Sequence, residues 1–341
     1  MLAARFASRA FPRTRLYSTA PKRSLKELVT ELRSQADVSP IQAGQALKAS
    51  DMDVSKALLW LEKQRTQSAV KKAAKVADRT ANEGLIGTTV LSSGVANGRR
   101  VGVRAAMVEL NCETDFVARN ELFANLLEDI THTAAFISEP ANAETFMQPF
   151  SMETLQNAPL LSQTKPSQNG KATVSEAMRD LTGRVGEKIS LRRALTVVRD
   201  PFTSSQPDLA LRVAARVHQS VFNPTQGRIG SLALLALKSK RLSEAIASQT
   251  FQDDLDKLCQ ALGRQVIGFP TTCIRSPPGT TDEGALYDQP FSMFIGPGND
   301  QSVGAFLQSW AQERSLVNKD EEQSAGVEVL EFAKWTVGDV V

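Results

Sequence analysis

The chain has 341 residues, 42 % hydrophobic and 23 % charged, the balance of a soluble globular protein with room for two or three cored domains. No apolar run approaches the roughly 20 residues that span a bilayer, and the longest, 232–237, is strand-sized. Cys112, Cys259 and Cys273 form no C-x-x-C pair, which argues against a disulfide framework or zinc site and fits a reducing compartment. His132 and His218 are the only histidines, so histidine-based metal or nucleophile chemistry has little material.

The first acid is Glu27. Before it, Arg5, Arg9, Arg13 and Arg15 alternate with Leu2, Phe6, Phe11 and Leu16, with Ser and Thr between. An amphipathic, Arg-rich, acid-poor start is the pattern of a mitochondrial transit peptide, here 1–17, with Arg15-Leu16-Tyr17-Ser18 as a matrix-peptidase site; a disordered basic tail is the alternative. Removing 1–17 removes four arginines and takes the formal charge from +3 to −1. The remaining chain then has no global electrostatic case for nucleic-acid binding, and a matrix location is expected.

Residues 24–64 read as three short helices. Leu25, Leu28, Val29 and Leu32 follow helical spacing. Ser39-Pro40-Ile41-Gln42 combines a cap, proline at the first helical position and a capping box, with Ile41, Ala46 and Leu47 facing inward. Val54, Ala57, Leu58 and Leu61 make the third stripe. So small a triplet resembles a ubiquitin-associated fold, with a generic helical mini-domain as the alternative. Residues 65–84 read as a linker helix whose Lys71, Lys72, Lys75 and Arg79 form a solvated basic face, or an RNA-contacting one.

Residues 85–112 read as a hairpin. Asn97-Gly98 supplies the positive φ angles of a tight turn, and Val101, Val103, Ala105, Met107 and Leu110 give a near-alternating return strand. That strand runs into Glu109-Leu-Asn-Cys-Glu-Thr-Asp-Phe-Val-Ala-Arg-Asn120, where Asn120 caps a helix with Phe123, Leu126, Leu127 and Ile130 as core. From the residues alone, Phe116 either plugs its own core beside a helix-capping Asp115, or stands out as an aromatic anchor for a partner. Glu109, Glu113 and Asp115 form an acidic group, with Glu109 and Glu113 on one strand face, read as a solvated or partner-facing edge.

This twelve-residue run closely resembles the signature of translation elongation factor Ts, the nucleotide-exchange factor of EF-Tu. The resemblance implies an exchange element at Thr114-Asp115-Phe116-Val117 with Asp115 and Phe116 at its tip, and it covers the chain from about residue 24 to the end, apart from the inserts. Ala81-Asn82-Glu83-Gly84-Leu85-Ile86-Gly87 matches the family's entry into its first core strand. Leu32-Arg33 to Ala46-Leu47 matches its helical N-terminal domain, and places Arg33, Pro40 and Ile41 at an exposed, partner-facing edge; the family's Met-Met and Lys-Lys are here Pro40-Ile41 and Gly44-Gln45, so a lysine-based contact does not carry over.

Residues 138–172, rich in Pro, Asn, Gln and Ser, read as a long, partly mobile insertion. A capping box at Thr173-Val174-Ser175-Glu176 starts a helix, and Gly186-Glu187-Lys188-Ile189 to Arg192-Arg193 matches the family's second block. Beyond Pro201, Arg216-Val217-His218 and Gly227-Arg228-Ile229-Gly230 match its "His … Arg-Ile-Gly" hairpin, which makes His218 a partner-binding candidate; Gln265 stands where the family usually has His. About twenty residues, including Pro270, Pro277 and Pro278, separate Gln265 from Gln289, too few and too broken for the bacterial members' coiled coil. That resembles the mitochondrial branch.

The expected fold is α+β: a three-helix domain (24–64), a linker helix (65–84), then two α+β core subdomains with antiparallel sheets, 85–200 and 201–341. The chain contains no G-x-x-x-x-G-K-[ST], H-E-x-x-H or G-x-S-x-G, and no G-x-G-x-x-G opening a helix. The expected function is guanine-nucleotide exchange on mitochondrial EF-Tu, without enzyme chemistry, cofactor, metal or nucleotide of its own. Its expected partner is mitochondrial EF-Tu in a 1:1 heterodimer formed by a monomer, with no membrane or nucleic acid. A matrix RNA- or ribosome-associated protein using the Lys71 to Arg79 basic face is the alternative, and an enzyme working through the acidic group a third.

Overall fold

The computed structural model describes residues 23–140, 145–202, 206–220, 222–317 and 326–339. The proposed transit peptide lies outside the described residues. The chain divides into two compact units, Met1–Gln67 and Ser68–Val341.

The first unit is helical. Helix α1 (Leu25–Gln35) starts from a capping box between Ser24 and Glu27, and α2 (Pro40–Ala49) from one between Ser39 and Gln42 with Pro40 at its first turn. Leu28, Leu32, Ala43, Ala46, Leu47 and Ala57 form its core. Ile41 does not join them: it is 74 % exposed, because it lies on the outer face of α2, opposite Ala43 and Leu47. The inward assignment of Ile41 is thereby corrected.

Helix α3 (Val54–Val76) carries Lys71, Lys72 and Lys75 and ends before Arg79. Its Ala69 and Val76 are buried. Lys72 Nζ donates to Gly183 O at 2.6 Å, and Arg79 pairs with Glu113 at 3.3 Å. Two of the four basic side chains are therefore committed to protein contacts, and the segment is not a uniformly solvated face.

Two long antiparallel strands follow, β1 (Glu83–Ala96) and β2 (Arg99–Cys112), joined at Asn97 (φ 51°) and Gly98 (φ 72°). Two consecutive left-handed residues match the right-handed strand twist. The one-turn helix α4 (Asp115–Ala118) and the long α5 (Glu121–Ile137) come next, then β3 (Met147–Pro149), α6 (Met152–Asn157), α7 (Val174–Val185) and β4 (Ser190–Arg199). The remaining elements are β5 (Leu209–His218), β6 (Gln226–Gly227), β7 (Ile229–Lys238), α8 (Leu242–Ala247), α9 (Gln249–Gly268), α10 (Val303–Glu313) and β8 (Val327–Thr336).

The fold is α+β with antiparallel sheets. One sheet has the order β3-β4-β2-β1-β6 and the other β5-β7-β8. The period-2 alternation of β2 explains the layering. Ala106, Val108, Leu110 and Cys112 face α5 and α7, while Val103, Ala105 and Met107 meet Leu211, Val213, Leu232 and Leu234 of the second sheet. The other face of the second sheet, with Ala233, Leu235 and Leu237, is closed by α9 and α10 through Leu258, Leu262, Phe306 and Trp310. Helices, sheet, sheet and helices thus stack in four layers.

Residues 138–172 are more integrated than their composition suggests. Residues 141–144 lie outside the described set, but β3 pairs with β4, and Leu155 of α6 is fully buried in the core beside α5. After α9 no helix or strand forms among residues 269–302, so the described chain has no coiled coil there. Buried Gln265 holds this segment: its amide nitrogen donates to Gln289 Oε1 and Pro290 O, both at 3.2 Å.

Gly183 of α7 packs directly against Ala69 of α3. A Cβ there would lie 2.9 Å from Ala69 Cβ and 3.0 Å from Ala69 Cα. Gly183→Val is expected to destabilise the second unit by about 1–3 kcal/mol through overpacking, read as a lower denaturation midpoint with faster amide exchange in residues 69–76. An unchanged midpoint would mean that this contact is loose.

Candidate partner-binding site

The signature stretch ends β2 and folds into α4. Four residues cannot hold a helix by themselves, because nucleation is unfavourable and only one turn of hydrogen bonds repays it. External partners do the holding. Thr114 is the N-cap and its Oγ1 accepts from Val117 N at 3.4 Å. Val117 and Ala118 are buried in the core formed with α5. Asn120 then caps α5, its Oδ1 accepting from Leu122 N at 2.8 Å.

With Val117 and Ala118 turned inward, Phe116 points out. It is 82 % exposed, so it does not plug the protein's own core. Asp115 is half-exposed beside it and pairs with Arg119 at 3.3 Å, a surface contact of little energetic weight. Below them, Cys112 donates its Sγ hydrogen to Thr114 O at 3.1 Å. Burial, and then the carboxylates of Glu187 and Glu83, push its thiol up to about 12. It therefore stays protonated, as that donation requires.

The acidic group does not form one edge. Glu109 has the same strand parity as Val103, Ala105 and Met107, which sends its carboxylate between the two sheets, where it is 0 % exposed. It pairs with Arg193 at 2.7 Å and Arg192 at 3.8 Å and accepts from Gly338 N at 3.0 Å. The Arg193 guanidinium also stacks 4.4 Å over the Trp335 ring. Glu113 lies beyond the strand's paired core, and Asp115 on α4. The reading of Glu109 and Glu113 as one solvated or partner-facing edge is corrected: a second sheet covers Glu109, which strand alternation alone cannot reveal. Among the described residues, no group of three His, Cys, Asp or Glu is placed to hold a metal ion.

The other candidates are distributed. Arg33, Pro40 and Ile41 are all exposed in the first unit, where Arg33 Nε donates to Val38 O at 3.1 Å just ahead of α2. His218 is exposed at the end of β5. The chain leaving it is tied to α5, with Asn223 Nδ2 donating to Glu128 at 3.1 Å and Gln226 Nε2 to Ala124 O at 2.8 Å, before β6 joins β1. Sequence reading missed Glu187, whose carboxylate accepts from Thr114 N at 3.0 Å and Oγ1 at 2.7 Å. The signal available was its place in the Gly186-Glu187 block.

The family model described as "Elongation factor TS" matches residues 113–251, from the start of this site into α9. Over 290 residues the chain is 98 % identical to "Elongation factor Ts, mitochondrial 1" of Postia placenta, covering 85 % of this chain and 100 % of that relative. The chain belongs to the mitochondrial elongation factor Ts family. It is 48 % identical to the elongation factor Ts, mitochondrial, of Laccaria bicolor and 47 % to that of Coprinopsis cinerea, each alignment covering 95 % of both chains. As a member of the elongation factor Ts family it is a translation elongation factor, with α4 and Phe116 inside the segment that the family model matches.

Proposed function

We propose that this chain is the guanine-nucleotide exchange factor of mitochondrial EF-Tu in the matrix, acting as a monomer that forms a 1:1 complex. The observation that carries the proposal is Phe116: a large aromatic, 82 % exposed, on a one-turn helix fastened to the core on both sides. An exposed aromatic on a preorganised support loses little entropy on docking, which is how anchor residues deliver binding energy. Asp115 and Phe116 push into the partner's G domain near its Mg²⁺ and phosphate site, with Thr114 and Val117 holding the tip. Arg33, Pro40 and Ile41 grip the G domain separately, and His218 contributes a contact from the second sheet. Several modest contacts on one body reinforce one another through effective concentration.

The mechanism is linkage. A factor that binds nucleotide-free partner more tightly than GDP-loaded partner lowers GDP affinity by the same ratio. The chain itself makes and breaks no covalent bond, and the nucleotide belongs to the partner. The expected result is that the chain binds nucleotide-free mitochondrial EF-Tu at least about tenfold more tightly than the GDP-loaded form, measured by titration calorimetry. Equal affinities for the two forms would overturn the proposal, because no exchange can then be driven.

A further inference from the structure

We propose that Glu187 is a positioning residue for exchange, which holds the Phe116 tip by fixing the cap of α4 from 73 residues away in sequence. This inference rests on the reading of Phe116 as the exchange tip.

The geometry is a reciprocal clasp. The Glu187 carboxylate receives the Thr114 amide at 3.0 Å and the Thr114 hydroxyl at 2.7 Å. The Glu113 carboxylate, one residue earlier, receives the Lys188 amide at 2.6 Å, one residue later. Each segment thus donates a backbone N–H to the other's side chain. Gly186 makes the approach possible: at φ 78° it ends α7 in the left-handed region and turns the chain back, with its own N–H donating to Thr182 O. A third segment closes the clasp, with Arg79 pairing with Glu113 at 3.3 Å and Lys188 Nζ donating to Arg79 O at 2.9 Å.

The consequence for α4 follows from the hydroxyl. Thr114 Oγ1 has one hydrogen, and Glu187 takes it. That turns an oxygen lone pair toward Val117 N, the first amide that the cap serves. Hydrogen bonds to a carboxylate are roughly twice as strong as neutral ones, so Glu187 sets both the rotamer of the cap and the backbone of the residue from which α4 starts. Phe116 is two residues on and, being 82 % exposed, has little packing of its own to hold it. Its direction is inherited from the cap.

The test compares the full chain with Glu187→Ala, Glu187→Gln, Phe116→Ala and the double variant Glu187→Ala/Phe116→Ala. Two readouts are taken: release of a fluorescent GDP from mitochondrial EF-Tu as a function of factor concentration, and amide exchange of the free factor. In Glu187→Ala, the plateau release rate is expected to fall about tenfold while the half-saturating concentration changes less than about threefold, because the remaining contacts still bind the partner. In the Phe116→Ala background the same change is expected to remove no more than about a further twofold, since Glu187 acts through Phe116. The amides of Thr114, Ala118 and Arg119 are expected to exchange about tenfold faster in the free Glu187→Ala chain. If Glu187→Ala does not fold, the isosteric Glu187→Gln carries the test, with a smaller loss in the same direction.

The inference is overturned if a folded Glu187 variant keeps the wild-type plateau. It is equally overturned if the loss is as large without Phe116 as with it, or if exchange of the α4 amides is unchanged. A different outcome separates the underlying reading: if Phe116→Ala itself releases GDP at the wild-type rate, the tip is wrong and the inference goes with it. If Phe116→Ala is defective and Glu187→Ala is not, only the clasp is wrong.

Discussion

Phe116→Ala is expected to abolish most of the acceleration of GDP release while leaving the fold intact. The two halves of this expectation have separate grounds. Phe116 is 82 % exposed and buries little in the free chain, so its truncation should change stability by no more than about 0.5 kcal/mol. Removing an aromatic anchor from an interface typically costs about 2 kcal/mol or more, which is a loss on the order of 30-fold when it acts on the exchange step. Val117 and Ala118 keep α4 docked in either case. The check is the rate of fluorescent-GDP release from mitochondrial EF-Tu, alongside thermal denaturation of the free variant. Wild-type acceleration by a folded Phe116→Ala chain would mean that exchange is driven from another surface.

Glu109→Ala is expected to give the largest loss of stability, about 3–5 kcal/mol, because it removes a fully buried carboxylate and strands the partly buried Arg193 guanidinium that it pairs with. Glu109 is 0 % exposed, and its removal leaves the Arg193 guanidinium without its 2.7 Å partner and Gly338 N without an acceptor. A domain of ordinary stability has only about 5–15 kcal/mol in total, so the variant should sit close to unfolding at physiological temperature. Glu109→Gln keeps an acceptor oxygen for Gly338 N and should lose less. Urea denaturation followed by circular dichroism measures both. A loss below about 1 kcal/mol for Glu109→Ala would show that water or a rearranged side chain can replace the carboxylate. Because the pair ties the first sheet to the segment after β8, its loss should also loosen residues 336–339, even though Phe116 is untouched.

Local chemistry explains what is legible in the chain itself. Asn97-Gly98 specified its turn, and Ser39, Asn120 and Thr173 specified helix starts, because each acts on neighbours within four residues. The signature stretch was legible for the same reason: strand, cap, one-turn helix and second cap are contiguous from Glu109 to Asn120. The features that stayed hidden all depend on distant partners. Glu109 looked solvated because alternation gives a strand two faces but does not say that a second sheet covers one of them. The Pro- and Asn-rich segment after α5 looked mobile, yet Leu155 fills the core and β3 finds the edge of β4. Strand β6 lies far along the chain and still pairs with Ile86 and Gly87 of β1. Ile41 fits an inward stripe by type, and only the packing of α2 on its neighbours turns it outward. Glu187 is the functional counterpart of these cases, since its bond to Thr114 joins two blocks that are 73 residues apart.

The most direct test of the account is stopped-flow release of a fluorescent GDP from mitochondrial EF-Tu mixed with increasing concentrations of residues 18–341. The account predicts release that accelerates with factor concentration, reaches a plateau, and leaves the factor itself chemically unchanged. Release at the partner's intrinsic rate at every concentration, from a folded factor, would contradict it.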